Sequence, residues 1–489
     1  MEPIALLKEA RKAVPAVKFA IGVAGVAAAV ALVVGIIKSL AVAVFGTIIM
    51  LGLMFVLLVF SSIARKSTSP ITQVFAYVLT GFFVLMIMVT TLFLFFSAFF
   101  SYPRPINQLF VITTPTPAPT PMKAETDFLP ILQRKVEAWV DRVFTAQAAN
   151  GGIKESPSAS ETTTQVWTTA QCLTGVLSVP NNLERYAPKI TAAFGYIENM
   201  RRTAPTAGWN LNGDTSIYTV TEINSWVTLA YIKSLESRAR IWNESEQQEI
   251  LNRIERELTE IKQRQDATGA WRPIKDDKPN FTRTYSTVMA LWSLIEASRS
   301  PLIHQRIGNK YNNGIREGIN WLVRTYKAGQ GWVPNPNRVG QVERFDGLTA
   351  QTLFVLSRAE TLDDFKYVNN DQGYINAQKE FAKNEQFTTW SVDKENSRVP
   401  DPDARFHETE FQAEGSTFLW FPWTLVELTH ISNDKTLSQE DRKAATQLRL
   451  RILNSNADRL ESYVEAENLM YMLGENLTCV SFYVNQLHS

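Results

Sequence analysis

Glu260–Ile261–Lys262–Gln263–Arg264–Gln265–Asp266–Ala267–Thr268–Gly269–Ala270–Trp271, followed after a polar loop by Tyr285–Ser286–Thr287–Val288–Met289–Ala290–Leu291, is the stretch on which the fold turns. An amphipathic segment, Ile254–Arg264, runs into a glycine and a tryptophan, and a more apolar segment, Ser286–Glu296, follows. The pattern returns along the chain. Asn150–Gly151–Gly152–Ile153, Ala207–Gly208–Trp209, Gly331–Trp332 and Thr389–Trp390 mark the other turns, ~60 residues apart. The apolar segments after them read Thr168–Leu177, Ser225–Leu235, Leu348–Arg358 and Ser416–Leu428. A sixth, degenerate unit runs from Gln439 to the end, with Leu477–Gln486 as its inner helix.

Each unit reads as a helix hairpin. The first helix has one apolar stripe and many charges, so one face stays wet; the second is apolar or small nearly all round, as in a helix packed on several sides. Glycine at the end of the first helix permits a left-handed cap, and the tryptophan wedges the loop against the neighbouring pair. Stacked pairs form either an open solenoid or a closed ring. Six pairs is the usual closure number for a double ring, so the predicted fold is all-α, an (α/α)6 toroid over 127–489 preceded by N-terminal transmembrane helices.

The quoted stretch resembles the prenyltransferase/squalene-cyclase repeat, in which a Gln, a Gly-Trp turn and a Ser-Thr-apolar inner helix follow one another; weaker copies cover roughly 129–486. The resemblance implies the toroid of the terpenoid cyclase/protein prenyltransferase-like superfamily. It does not bring that chemistry with it, because such toroids host cyclases, prenyl transferases, carbohydrate enzymes and non-catalytic modules. A class II cyclase protonates an alkene with the middle acid of an Asp-x-Asp-Asp run. The stretch at that place, Arg344–Phe345–Asp346–Gly347–Leu348–Thr349–Ala350, has a single acid, and Leu362–Asp363–Asp364 and Asp401–Pro402–Asp403 lie in loops. The prenyltransferase zinc site needs Asp, Cys and His, and Cys172 lacks such partners at the later repeats.

Upstream of the repeats lies a basic flank, 1–18, with Lys8, Arg11, Lys12 and Lys18, and then three apolar runs at 19–37, 40–63 and 71–100. Each reaches the ~20 residues that a helix needs to cross a bilayer. With Arg65 and Lys66 after the second run, three spans place the basic flanks in the cytoplasm and the toroid outside, while two spans would leave it cytoplasmic. The expected localisation is a multi-pass cell-membrane protein with the lipid bilayer as a partner. Gly22, Gly25 and Ala29 suit helix–helix association, and with it a homo-oligomer through these helices. The segment 101–126 reads as a linker, since Thr113–Thr114–Pro115–Thr116–Pro117–Ala118–Pro119–Thr120–Pro121 favours a semi-rigid polyproline II spacer.

Lys and Arg total 49 against 48 Asp and Glu, a balance that argues against a nucleic-acid partner. Cys172 and Cys479 sit in apolar stretches and read as buried free thiols. With His304, His407, His430 and His488 the only histidines, a Cys/His metal site is poorly supplied, and no cofactor is expected.

Aligning the inner helices brings Gln165, Glu222, Arg283, Asp346 and Glu414 to one level at their starts, with Arg344, His407 and Glu410 nearby. Glu222, Asp346 and Glu414 are the candidate catalytic acids, since carboxylates facing one another across a cavity can divide acid and base roles. Arg283, Arg344, His407 and Glu410 are candidate binding residues, and Trp226, Trp292, Trp420 and Trp423 candidate stacking platforms. The plainer alternative is charged loop ends pairing with one another and tryptophans filling the core. Pro422, within Phe418–Leu419–Trp420–Phe421–Pro422–Trp423, is expected to kink its inner helix near the cavity. Two functions fit. One is a membrane-anchored receptor or scaffold binding a small molecule, glycan, isoprenoid or protein in the toroid mouth, for instance a bacterial defence or stress effector. The alternative is a membrane-tethered enzyme acting on a cell-envelope glycan or a lipid-linked or isoprenoid substrate by carboxylate acid/base chemistry.

Overall fold

In the computed structural model, which describes residues 123–180, 183–203, 207–210, 219–237, 241–274, 283–336, 345–389, 420–457 and 469–488, wet and dry segments alternate as helix pairs. The pairs are α1 (Glu125–Thr145) with α2 (Val166–Leu177), α3 (Ala187–Asn199) with α4 (Thr221–Glu236), and α5 (Glu244–Lys262) with α6 (Thr284–Arg299). After a short α7 (Pro301–Ile307) come α8 (Asn312–Thr325) with α9 (Asp346–Glu360), α10 (Gln372–Ala382) with α11 (Phe421–Asn433), and α12 (Gln439–Ser455) with α13 (Met470–His488). Among the described residues every regular element is a helix, and the turns carry only isolated bridges such as Gln265 with Trp271.

Burial sorts the helices into two layers. Helix α5 buries the stripe Ile250, Ile254, Leu258 and Ile261 and leaves its charges outside. Helix α6 buries nearly its whole circumference. Each second helix packs on the second helix of the next pair, from α2 through α4, α6, α9 and α11 to α13, and α13 returns to α2. The inner helices therefore close a ring, with α1, α3, α5, α8, α10 and α12 outside it. The ring's middle is filled. Trp292 meets Trp226, Phe354 and Trp423 edge-on at 5.3, 5.4 and 5.6 Å between centroids, and Phe482 lies 6.4 Å away, so five successive inner helices each supply one ring.

The repeated turn has a repeated chemistry. The indole N–H groups of Trp209, Trp271 and Trp332 donate to carbonyls of the preceding outer helix, Ile197, Ile261 and Leu322, at 2.7, 2.8 and 2.8 Å. Their backbone N–H groups donate to the side chains of Asn224, Thr287 and Thr349 in the first turn of the following inner helix. Each tryptophan thus bolts one hairpin's two helices together. Gly269 has φ +94°, and a Cβ there would stand 2.4 Å from the Glu317 carbonyl oxygen on α8. Helix α5 already ends at Lys262, so this glycine is not the helix cap expected from sequence but the tight turn of the loop beyond it.

Two further expectations change. Pro422 lies in the first turn of α11, where its missing N–H would be unpaired anyway, so it starts the helix instead of kinking it. The sixth inner helix begins at Met470, not Leu477.

The membrane localisation is corrected: no helix among the described residues is long and apolar enough to cross a membrane. The runs at 19–37, 40–63 and 71–100, the basic flank and the linker as far as residue 122 lie outside the described residues. Helix α1 begins at Glu125, inside the stretch read as linker.

Candidate functional site

The starts of the inner helices gather polar side chains on one side of the aromatic filling. Glu222, in the first turn of α4, is buried and accepts a hydrogen bond from the Ser286 hydroxyl of α6. Burial pushes its carboxyl up, while the Ser286 hydroxyl and the charges of Arg283 and Arg264 pull it back. Arg264 is itself buried, donating to the carbonyls of Thr219 at 2.6 Å and Ala207 at 3.1 Å. Next to Ser286, the half-buried Tyr285 accepts from the Trp226 indole at 3.3 Å. Burial pushes the Tyr285 phenol well above its usual range, and the charges of Glu475 and Glu222 push the same way.

Glu475, on α13, completes the group. It is buried and accepts from the Gln351 amide of α9 and the Trp423 indole of α11. Burial raises its carboxyl to about 7, against the pull of those two donors. Carboxyls from two inner helices therefore act on one phenol from a third. Two acids in unlike surroundings, one of them titrating near neutrality, are the arrangement from which proton transfer is built.

No known protein family and no curated protein matches the sequence. Among solved structures, a D-mannose isomerase is similar at a TM-score of 0.51 with 11% identity, over 74% of this chain and 99% of that one. An α-1,6-mannanase from Salegentibacter sp. HEL1_6 is similar at 0.49 with 13% identity, over 73% and 99%. A type II terpene cyclase from Scytonema, in complex with geranylgeranyl dihydroxybenzoate, is similar at 0.42 with 12% identity, over 74% and 99%. The chain folds as an α/α toroid. At such identities the likeness speaks for the fold alone.

The toroid treats the residues singled out from sequence unequally. Arg283 lies near enough to Glu222 for its charge to act on that carboxyl. Asp346 begins α9 and is buried, and it accepts a hydrogen bond from the amide of Asn384, in the loop after outer helix α10, at 3.2 Å. Glu414, Arg344, His407 and Glu410 lie outside the described residues. Trp226, Trp292 and Trp423 are each at most 1% exposed and belong to the ring's filling, so as they stand they offer no free stacking face. Trp420 is buried elsewhere, stacked on Phe387 at 5.7 Å. Cys172 and Cys479 are free and buried.

Sequence reasoning missed Glu475, Tyr285 and Arg264. The signal for Glu475 was present, since starting the sixth inner helix a few residues earlier puts it beside the other acids. At the opposite end of the toroid, the C-terminal turns of α4, α6 and α9 join Lys233, Glu296 and Arg358 in a buried ion network. Beside Lys233 a cleft of about 300 Å³ opens between Leu177, Glu236, Phe482 and Asn485.

Proposed function

We propose that the toroid is an enzyme acting on a sugar or short glycan by carboxyl acid/base chemistry. Glu475 exchanges the proton, and Glu222 is the second carboxyl, steadied by Ser286 and Arg283. The observation that carries this reading is the pair of carboxyls from α13 and α4 acting on the half-buried Tyr285, one of them held near neutrality. Shifted carboxyls gathered at one place are characteristic of catalytic sites, which is why the enzymatic reading stands first. The D-mannose isomerase of the same fold lends the carbohydrate substrate class its support. An isoprenoid substrate is less supported, because the chain lacks the Asp-x-Asp-Asp run of the cyclases that it resembles.

The test incubates the full chain with aldoses, ketoses and oligomannosides and follows products by chromatography. Turnover that falls ~100-fold or more in both Glu475→Gln and Glu222→Gln, with unfolding midpoints near wild type, is the expected result. Full activity in both amide variants would refute the assignment.

A further inference from the structure

The far ends of α9 and α11 carry a second cluster that the acid/base site does not use. Helix α11 presents Glu427 and His430, and Asp434 follows its last residue. Spacings of three and four residues put all three on one face. Glu360, the last residue of α9, approaches them: its Oε1 lies 3.0 Å from His430 Nε2. One ligand atom each from Glu360, His430 and Asp434 falls within 4.8 Å of the others. Glu427 is fully buried, neither of its carboxylate oxygens has a hydrogen-bond partner, and the charged groups acting on it are His430, Glu360 and Asp434.

The surrounding contacts orient the carboxylates without saturating them. From α10, Tyr374 donates to Glu360 Oε2 at 3.3 Å and Gln378 to Asp434 Oδ2 at 3.4 Å; Thr436 donates to Asp434 Oδ1. Glu427, fully buried with both oxygens unpartnered, is costly in a protein interior. A shared cation removes that cost. Two donors bound about 2.1 Å from one ion, at roughly right-angled to tetrahedral angles, stand about 3.0–3.4 Å apart. His430 Nε2 and Glu360 Oε1, 3.0 Å apart, already have that separation.

We propose that Glu360, His430 and Asp434 bind one divalent transition-metal ion, with Glu427 as the buried carboxylate that balances its charge. A mixed imidazole–carboxylate set suits Zn²⁺ or Mn²⁺ over Ca²⁺, which takes oxygen ligands only. The ion staples two neighbouring inner helices at the end of the ring away from Glu475. Tyr374 and Gln378 hold two of the carboxylates in place, as outer partners of metal ligands commonly do.

The full chain, stripped with a chelator and passed through a desalting column, is titrated with Zn²⁺ and separately with Co²⁺, with Ca²⁺ and Mg²⁺ as controls. The proposal expects one Zn²⁺ retained per chain, a raised unfolding temperature, and visible absorption bands from bound Co²⁺. It expects affinity about 100-fold weaker in His430→Asn and at least about 10-fold weaker in Glu427→Gln, with no change in His304→Asn, whose side chain is exposed elsewhere. A wild-type chain that retains no ion overturns it, as does a His430→Asn variant that binds as wild type does. Should His430→Asn fail to fold, anomalous scattering from the wild-type protein decides: a peak among these four residues supports the site, and a peak elsewhere overturns it.

Discussion

Replacing Glu296 with Gln should cost the toroid about 3 kcal/mol at neutral pH, and the cost should shrink in acid. Glu296 is 1% exposed and sits where the C-terminal turns of three inner helices meet. Its Oε1 accepts from Arg358 Nε at 2.7 Å, and its Oε2 accepts from Arg358 Nη2 at 2.9 Å and from Lys233 Nζ at 3.1 Å. Glutamine keeps the shape but removes the charge, leaving Lys233, Arg299 and Arg358 with Glu236 as the remaining acid on Lys233. Breaking a buried pair costs about 3–5 kcal/mol. The lower end applies because the Arg358 and Arg299 side chains, 22% and 26% exposed, keep some water. Burial alone would raise the Glu296 carboxyl; the charges of Arg358 and Lys233 override it and hold the group well below the usual 4.5. A carboxyl with a depressed folded pKa stabilises fully above its unfolded value and loses that contribution as pH falls through the window below it. At pH 3.5, one unit under 4.5, about 1.4 kcal/mol of the difference should be gone. Urea unfolding of wild type and variant at pH 7 and pH 3.5 measures both numbers. A variant within 1 kcal/mol of wild type at pH 7, or a difference that does not change with pH, refutes the reasoning.

The other expectations are quicker to state. If Glu475 titrates near 7, the pH–rate profile on any sugar substrate should show an ionisation there, and Glu475→Gln should remove it; a profile unchanged in the variant excludes Glu475 as the proton carrier. At Gly474 a Cβ would stand 2.6 Å from Cys172 N and 2.7 Å from Gln171 C, backbone atoms that cannot swing away, so Gly474→Ala should destabilise by about 1–3 kcal/mol. Gly195, exposed within α3 and with nothing near its missing Cβ, is the control: Gly195→Ala should stabilise by up to about 1 kcal/mol, and equal thermal shifts in the two variants would contradict the packing account. The Cys172 thiol, pushed far up by burial and donating to the Met470 carbonyl at 3.1 Å, should resist iodoacetamide until the chain unfolds; rapid labelling of native protein would show the α2–α13 seam to be open.

The hairpins were legible because their turn chemistry is local. A glycine, a tryptophan and a threonine or asparagine in the first turn of the next helix lie within about twenty residues of one another, and each such group closes one unit. The candidate site was less legible, for a physical reason. Outer helices announce their buried face by a stripe, but an inner helix such as α6 is buried nearly all round, so its pattern does not say which residue points into the ring. Glu222 and Ser286 meet across two inner helices, while Asp346, the first residue of α9 where Glu222 is the second of α4, accepts from Asn384; the helix starts have to be known to one residue to separate the two cases. The tryptophans misled likewise: Trp420 and Trp423 are three residues apart, yet one stacks on Phe387 and the other fills the ring. The cluster at Glu427, His430 and Asp434 is readable as a spacing on α11, but Glu360 joins it only through the fold.

The degenerate sixth repeat bears on how the ring and its acid are coupled. Three of the turns use a bulky tryptophan to set the distance between helices, whereas the closing seam between α13 and α2 uses absence of bulk. Gly175 would place a Cβ 2.5 Å from the Gly474 carbonyl oxygen, and Gly474 would place one against the backbone of Cys172. Two glycines facing each other let the helices approach until backbones touch, which fixes both the spacing and the rotation of α13. Its next residue is Glu475. With Gly474 turned against α2, the step of one residue carries Glu475 round the helix to Gln351 of α9 and Trp423 of α11. The repeat that looks worst by sequence is thus the one whose small residues both close the toroid and aim a carboxyl raised to about 7 at the ring.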